Sequence, residues 1–369
     1  MIELTLPSFG ADMDDAVFVR WNVAPGEVLQ RGQVACVVET QKGAIDVEAW
    51  QAGTVARLVA EPGQRLPVGQ LLAVLAAEGE DWHAVAATAP PAPEAKTPPA
   101  AAPAPTARQR VSPAARKRAA ELGVDLGALP AKGGPVSLQD VEHAARPTPA
   151  QAMRAAIAAA MSRSKREIPH YYLGCEVTVD AALRWLEGFN AQRPVADRVL
   201  FAALALKAVA LALRTTPELN GSFVDGRFRP ADAVHLGVVT ALRGGGLVVP
   251  TVHDADRLAL PALMTALREA LARARSGQLR SSDLADSTVT VSNLGDLGTD
   301  TVYGVIYPPQ VALAGIGRVA QRPVVQDGQV FAASTVHLTL AADHRASDGL
   351  VGSRFLAALS ERLAHPEDL

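Results

Sequence analysis

The sequence predicts a multidomain chain: a small β-sandwich, a short helical module and a C-terminal α/β domain. Three observations carry this. The first 80 residues hold short apolar runs broken by Pro-Gly and Gly turns, residues 81–107 collapse to Ala and Pro, and from about residue 150 helical and strand patterns alternate. The 369 residues are 49% hydrophobic and 20% charged, a balance that suits a core-forming soluble protein. A net charge of -3 gives no general attraction to nucleic acid or an anionic membrane.

In the head, residues 1–80, strands are expected at Ala16–Trp21, Val34–Glu39, Ala44–Val47 and Gly53–Leu58. A weak repeat runs through it: Pro25-Gly26-Glu27-Val28 with Gly32-Gln33-Val34 is echoed by Pro62-Gly63-Gln64-Arg65 with Gly69-Gln70-Leu71. Two similar half-sheets facing each other would produce such an echo. Between two of the strands, Glu39-Thr40-Gln41-Lys42-Gly43-Ala44 reads as a hairpin turn with Lys42 at its tip. An enzyme that modifies a lysine needs it so placed, although an isolated Lys-Gly is more often an ordinary solvated turn.

The Ala/Pro segment 81–107 buries almost nothing and favours extended, polyproline-like chain, as a spacer or a tether would. The middle module, 108–144, should hold two short helices. Ser112-Pro113 is a start signal, Gly123 a stop, and Ser137 with Asp140 opens the second. The head carries eleven acids against five Lys/Arg, whereas 108–144 carries six Lys/Arg against four acids, so the two modules expect different contacts. After a short break at 145–150, residues 151–369 should alternate helices (Ala152–Ser164, Val199–Arg214, Leu260–Ser276) with strands (Tyr172–Val179, Val234–Thr240, Leu247–Val252, Thr288–Ser292, Val311–Ile316, Val336–Ala341).

Other function classes find little support. Cys36 and Cys175 form no C-x-x-C pair, so neither a disulfide framework nor a metal site is expected, and both read as small core residues. The N-terminus lacks the basic lead-in of a secretion signal, and the most apolar window, Val199–Leu213, contains Lys207 and is shorter than a membrane span of ~20 residues. A cytoplasmic location is the expectation.

The strongest chemical signal is Asp343-His344-Arg345-Ala346-Ser347-Asp348-Gly349, placed after an apolar alternating run. A histidine where a buried strand meets a loop can present a ring nitrogen to a substrate. Its neutral form suits removal of a proton from a thiol of pKa ~8–9.

This heptapeptide resembles the His-x-x-x-Asp-Gly motif of the dihydrolipoamide acyltransferases and of the related chloramphenicol acetyltransferases. The resemblance extends through Met153-Arg154, Ile168-Pro169-His170-Tyr171-Tyr172, Pro217-Glu218-Leu219-Asn220, Gly246-Leu247-Val248-Val249-Pro250 and Thr290-Val291-Ser292-Asn293-Leu294-Gly295. Val38 to Val47 resembles a lipoyl domain, with Gln41 where that family more often has Asp. The order of parts implied is a β-sandwich lipoyl domain (1–80), a linker (81–107), a small helical peripheral subunit-binding domain (108–144), a second linker (145–150) and an α/β chloramphenicol-acetyltransferase-like catalytic domain (151–369).

By that resemblance Lys42 is the attachment point of a covalent lipoate, and coenzyme A is the acyl acceptor. His344 takes the thiol proton, Ser292 donates to the oxyanion, and Asp348 orders the loop through an ion pair with Arg154 or Arg345. The loop Gly244-Gly245-Gly246-Leu247 resembles the region lining the cofactor channel. Relatives build the site between subunits of a homotrimer that assembles further. Their partners are a thiamine-dependent dehydrogenase component and dihydrolipoamide dehydrogenase.

The middle module departs from its family at Lys132-Gly133-Gly134-Pro135, where Pro135 stands in place of a partner-gripping arginine. Arg116, Lys117, Arg118 and Lys132 remain as a basic face. The reading is therefore an acyltransferase, acetyl by preference, at the core of a 2-oxo acid or acetoin dehydrogenase complex. A catalytically silent tethering subunit and a stand-alone coenzyme A acyltransferase are the alternatives.

Overall fold

The computed structural model describes the chain except residues 10–12, 14, 41–42, 78, 89–110, 127–128, 130–135, 146–148 and 243–245. Lys42, Gly244, Gly245, Lys132 and Pro135 thus lie outside the described residues. The chain forms two compact units, Met1–Ala89 with Ala156–Leu369, and Pro90–Ala155.

Eight strands build the head: β1 (Ile2–Thr5), β2 (Asp15–Trp21), β3 (Val28–Leu29), β4 (Val34–Thr40), β5 (Gly43–Glu48), β6 (Gly53–Leu58), β7 (Arg65–Pro67) and β8 (Leu71–Ala76). They form two sheets, β1-β8-β6-β3 and β5-β4-β2-β7. Alternation along the strands sends Leu4, Phe18, Ile45, Val47, Leu72 and Leu75 into one shared core. The repeat in the sequence has a conformational basis. Gly26 and Gly63 have φ of +88° and +84°, and Gly32 and Gly69 have +81° and +84°, a region that suits glycine. Each of these four glycine amides donates to a carbonyl elsewhere in the head, to Val55, Phe18, Ala49 and Leu6 respectively.

One element falls where a linker is expected. Trp82–Thr88 is a helix, α1, and the ring of Trp82 lies against Gly26, where a Cβ would come within 3.2 Å of it. A tryptophan can bury large apolar area, so it holds this first stretch on the head, ahead of the Pro-rich chain.

In the second unit, α2 (Pro113–Leu122) starts at Ser112, whose hydroxyl accepts from Ala115 N, and ends at Gly123 with φ +66°. Helix α3 (Leu138–Ala145) starts with a reciprocal pair, Ser137 N donating to Asp140 Oδ2 at 2.9 Å and Asp140 N to Ser137 Oγ at 3.2 Å. The core between them is small: Ala115, Ala119, Val136 and Val141. Arg116 and Lys117 are exposed, while Arg118 pairs with Glu121 at 3.0 Å.

The C-terminal domain opens with α4 (Pro149–Glu167), β9 (His170–Thr178), α5 (Asp180–Asn190) and α6 (Phe201–Thr215). Then come β10 (Gly221–Val224), β11 (Arg227–Pro230), β12 (Leu236–Val238), β13 (Thr240–Ala241), β14 (Leu247–Val248), β15 (Thr251–Val252), α7 (Leu260–Ser276), β16 (Leu279–Arg280) and α8 (Ser281–Ala285). The last elements are β17 (Val289–Asn293), β18 (Ala312–Ile316), β19 (Ala320–Gln326), β20 (Gln329–Asp343) and α9 (Gly349–Ala364). The main sheet runs β15-β12-β17-β18-β20-β19, with β9 also paired to β20.

Helix α6 is the buried apolar helix the sequence predicts. Lys207 is accommodated inside it because its ammonium donates to the carbonyls of Asp256 and Leu258 at 2.7 Å each. Burial pushes the pKa of that ammonium down, with Asp256 opposing. Helices α5 and α9 are not anticipated from the sequence, although the buried Val351, Phe355, Leu359 and Leu363 of α9 recur every four positions.

Two glycines let an extended segment cross the main sheet. A Cβ on Gly315 would stand 2.2 Å from Thr339 Oγ1 and 2.3 Å from Val302 O, and one on Gly317 1.9 Å from Asp300 O. The Thr339 hydroxyl donates to Val302 O across this contact, and Thr301 Oγ1 bonds His337 Nδ1 at 2.9 Å. Gly315→Ala must therefore push the segment off the sheet. A loss of about 1–3 kcal/mol is expected in denaturant unfolding, with the head's own spectroscopic signals unchanged; an unaltered midpoint would mean the crossing segment is held by something else.

Candidate active site

Strand β20 delivers the sequence motif. It pairs with β9 so that Ala342 faces Tyr171 and Asp343 faces His170, and it ends as the chain turns into α9. Asp343 is completely buried. Its carboxylate accepts from Arg345 Nε at 3.0 Å, from Arg345 Nη2 at 2.7 Å and from the Arg345 backbone amide at 2.9 Å. Its carbonyl accepts from Ala346 N at 3.0 Å and Ser347 N at 3.1 Å, and the Arg345 guanidinium lies 4.0 Å over the Phe223 ring. A buried carboxylate needs such saturation, and two residues suffice to fold the loop tightly.

His344 sits on the outside of that turn and is exposed. Its backbone amide donates to Pro169 O at 3.0 Å, and the Tyr171 ring meets its imidazole edge-on, centroids 5.3 Å apart. Tyr171 is itself anchored by a 2.9 Å hydrogen bond between its hydroxyl and that of Ser347. Neither imidazole nitrogen of His344 has a hydrogen-bond partner among the described residues, so the ring is held by backbone and packing while both nitrogens stay open for chemistry.

Asp348 is the N-cap of α9, accepting from Leu350 N at 2.9 Å and Val351 N at 3.0 Å. These amides, Val351 first, hold its carboxyl below the usual range, with the charges of His344 and Arg354 acting in the same direction. The ion pair expected between Asp348 and Arg345 does not form. Arg345 is captured by the nearer, buried Asp343, and one Asp348 oxygen already serves two helix amides. Arg154 is exposed and falls in the other compact unit.

Ser292 lies near the end of β17, almost fully buried, and its hydroxyl has no hydrogen-bond partner among the described residues. It is not next to His344. Ser292 pairs with Gly315, and Gly315 with Thr339, five residues before His344 along β20. Five residues of strand and two inter-strand spacings put ~19 Å between the two positions within one chain. In the head, Thr40 pairs with Gly43 and the Thr40 hydroxyl donates to the Gly43 carbonyl at 3.1 Å, with only residues 41 and 42 between. The hairpin on which the sequence places Lys42 is thus framed by described residues on both sides, while Gln41 and Lys42 themselves lie outside them.

The sequence reading overlooks Tyr171, Ser347 and His170 as site residues. The available signal was the His-Tyr-Tyr run at the start of an apolar strand. His170 fixes its own tautomer: Ile306 N donates to Nε2 at 3.1 Å, so Nδ1 carries the proton and gives it to Ile168 O at 2.9 Å. Burial lowers its pKa from 6.5, Lys165 assists, and the Ile168 bond and Asp343 oppose. Cys36 behaves as the core residue expected, buried beside Asp46 with its thiol pushed up to about 12.

The family model described as 2-oxoacid dehydrogenases acyltransferase (catalytic domain) matches residues 142–369, that of the biotin-requiring enzymes residues 2–75, and that of the e3 binding domain residues 110–142. A dihydrolipoyllysine-residue acetyltransferase component of the pyruvate dehydrogenase complex from Rhizobium meliloti is 31% identical, over 99% of this chain and 98% of that protein. A lipoamide acyltransferase component of the branched-chain alpha-keto acid dehydrogenase complex from Bacillus subtilis is 28% identical, over 98% and 97%. Among solved structures, a truncated catalytic core of the 2-oxoacid dehydrogenase multienzyme complex from Thermoplasma acidophilum aligns with a TM-score of 0.52 at 26% identity, covering 58% of this chain and 95% of that one. An acyltransferase domain that follows a lipoyl-type domain and an e3 binding domain in one chain defines a carrier-dependent acyltransferase. The chain belongs to the 2-oxoacid dehydrogenase acyltransferase family.

The tautomer of His170 has a measurable consequence. In the unfolded chain this ring takes a proton near pH 6.5, but in the fold only at lower pH, because burial disfavours the charged ring and Lys165 adds to that. Its contribution is complete above about pH 6.5 and is lost as the pH falls further. His170→Gln should flatten the decline of Tm between pH 7.5 and 5.5, leaving the share due to His235, whose pKa burial also lowers; parallel Tm profiles for the two proteins would assign the acid sensitivity elsewhere.

Proposed function

We propose that this chain transfers an acyl group, acetyl by preference, from a lipoyl arm on Lys42 to coenzyme A, with His344 as the base. The observation that carries the reading is the state of His344: Asp343, Tyr171 and Asp348 beside it are tied down, while its own ring nitrogens have no hydrogen-bond partner among the described residues. When attached, the lipoyl group supplies the acyl thioester. His344 accepts the proton of the coenzyme A thiol, the resulting thiolate attacks the acyl carbonyl, and as the original acyl–sulfur bond breaks His344 would return the proton to the departing sulfur of the carrier. Ser292 donates its free hydroxyl to the carbonyl oxygen as charge builds there. Asp348, as cap of α9, keeps the loop in register and leaves a negative charge within reach of the imidazole.

The ~19 Å between His344 and Ser292 in one chain supports a site shared by two copies, His344 from one and Ser292 from its neighbour, and hence a homotrimer that assembles into a larger core. The proposed organisation is a lipoyl domain at 1–80 extended by α1, a tether over the rest of 81–107, a subunit-binding domain at 108–144, a short linker between α3 and α4 and the transferase at 151–369. The partners are a thiamine-dependent dehydrogenase component and dihydrolipoamide dehydrogenase, and the location is cytoplasmic; no helix among the described residues is long and apolar enough to cross a membrane.

His344→Ala should abolish acyl exchange between the lipoylated chain and coenzyme A without altering unfolding, and undiminished exchange removes the base assignment. Ser292→Ala should lower kcat by roughly 10²-fold with little change in KM. The two variants also test the shared site. Co-assembled in equal amounts, they should recover about a quarter of wild-type activity, because one site in four then receives both native residues; a mixture as inactive as its parents would place both residues in one subunit's site.

A further inference from the structure

Strand β5 leads away from the lysine turn and is an edge of its own sheet in the head. Edge strands present unpaired amides and carbonyls, and proteins cover them. Here the cover comes from the catalytic domain. Leu279 and Arg280 of β16 add to β5 in parallel, opposite Ile45 and Asp46.

The contacts continue past the strand. Glu48, only 8% exposed, donates its amide to Ser281 Oγ at 3.3 Å, and its carboxylate accepts from Ser282 Oγ at 2.6 Å with Arg280 3.8 Å away. Leu284 packs at once on the core of the head and on the cluster of Leu242, Val248, Ala274 and Leu279. The receiving edge is stiff before anything docks on it. Asp283, 1% exposed, accepts from Arg273 at 2.9 and 2.7 Å and from Arg280 N at 3.0 Å, which locks β16 to α8.

We propose that Leu279–Leu284 is a docking edge for the chain's own lipoyl domain, which parks there by strand addition through β5 and the Glu48 carboxylate. The occupant is the head itself: β5 supplies the matching edge, Glu48 the matching acid, and Leu284 of the docking edge packs on the core of the head. Strand addition of this kind gives specificity from backbone pairing and a few side chains. Two paired residues and a few polar contacts make a weak interface. Covalent attachment raises the local concentration of the partner to ~mM, so weak affinity suffices for occupancy and still permits release. Leu242 follows β13 and Val248 belongs to β14, so Leu284 also ties the parked domain to the hairpin of those two strands. This rests on the lipoyl reading of the head and not on the transfer chemistry.

Hydrogen exchange of the intact chain tests it without reading catalysis. Ser282→Glu sets a second carboxylate against Glu48. It should speed exchange of the outward amides in 44–48 by about tenfold, the ratio of a ~mM effective concentration to a ~0.1 mM affinity, while peptides from β1 and β8 keep their protection. Adding Glu48→Lys to Ser282→Glu should restore the slow rate through an opposite-charge pair. Unchanged exchange in Ser282→Glu, or an acceleration that the double variant does not reverse, overturns the docking edge; neither result bears on acyl transfer, which His344→Ala tests separately.

Discussion

The fork between Arg345 and Asp343 is the interaction on which the site depends. Asp343 ends β20 with its carboxylate completely buried, and a buried carboxylate without partners would cost several kcal/mol. Arg345 supplies two side-chain donors and its own amide, and Phe223 receives the flat face of its guanidinium. With residues 343 and 345 both committed, the residue between them has no inward direction left. His344 is therefore driven outward by its neighbours rather than placed by a partner of its own. That is a consistent way to hold a base: fixed in position by backbone, unencumbered at the ring. The helix cap at Asp348 closes the far end of the same loop, so both ends are pinned while the imidazole remains open.

Much of this was legible in the sequence, and the parts that were not share a cause. The head strands, α6 and α7 follow from local periodicity and turn residues, which depend on neighbours a few positions away. The motif around His344 was legible because it is contiguous. Tyr171 and His170 escaped as site residues because their roles arise from β9 pairing with β20, a contact across more than 160 positions that no local pattern reports. The Asp348–Arg345 pairing was wrong for a related reason. Sequence offers Arg345 two acids, Asp343 and Asp348, and only burial decides between them. Trp82 was absorbed into the linker because composition averages over its neighbours, whereas one tryptophan over Gly26 is enough to extend the fold.

The two histidines at the start of the site divide the work by tautomer and exposure. His170 has both nitrogens engaged with backbone, donor to Ile168 and acceptor from Ile306, and burial keeps it neutral. It joins β9 to the segment that crosses the sheet through Gly315 and Gly317, so it is a structural hinge pin beside the catalytic loop. His344, next in the chain to the β20 residue paired with His170, has the opposite character. Equal residue types thus carry unequal chemistry because one set of hydrogen bonds is complete and the other is vacant.

The sheet register also constrains assembly. Parallel pairing of β17 with β18, and antiparallel pairing of β18 with β20, send Ser292 and His344 toward opposite ends of the same sheet. No side-chain rotation spans ~19 Å, since even a long side chain reaches only ~6–7 Å from its Cα. The proposed transfer, which needs both groups at one carbonyl, therefore requires a second copy to supply the missing one. The same requirement reaches the proposed carrier: a thioester bound for such a shared site cannot be rigidly fixed to either copy, and a parked but releasable lipoyl domain meets that condition where a permanently docked one would not.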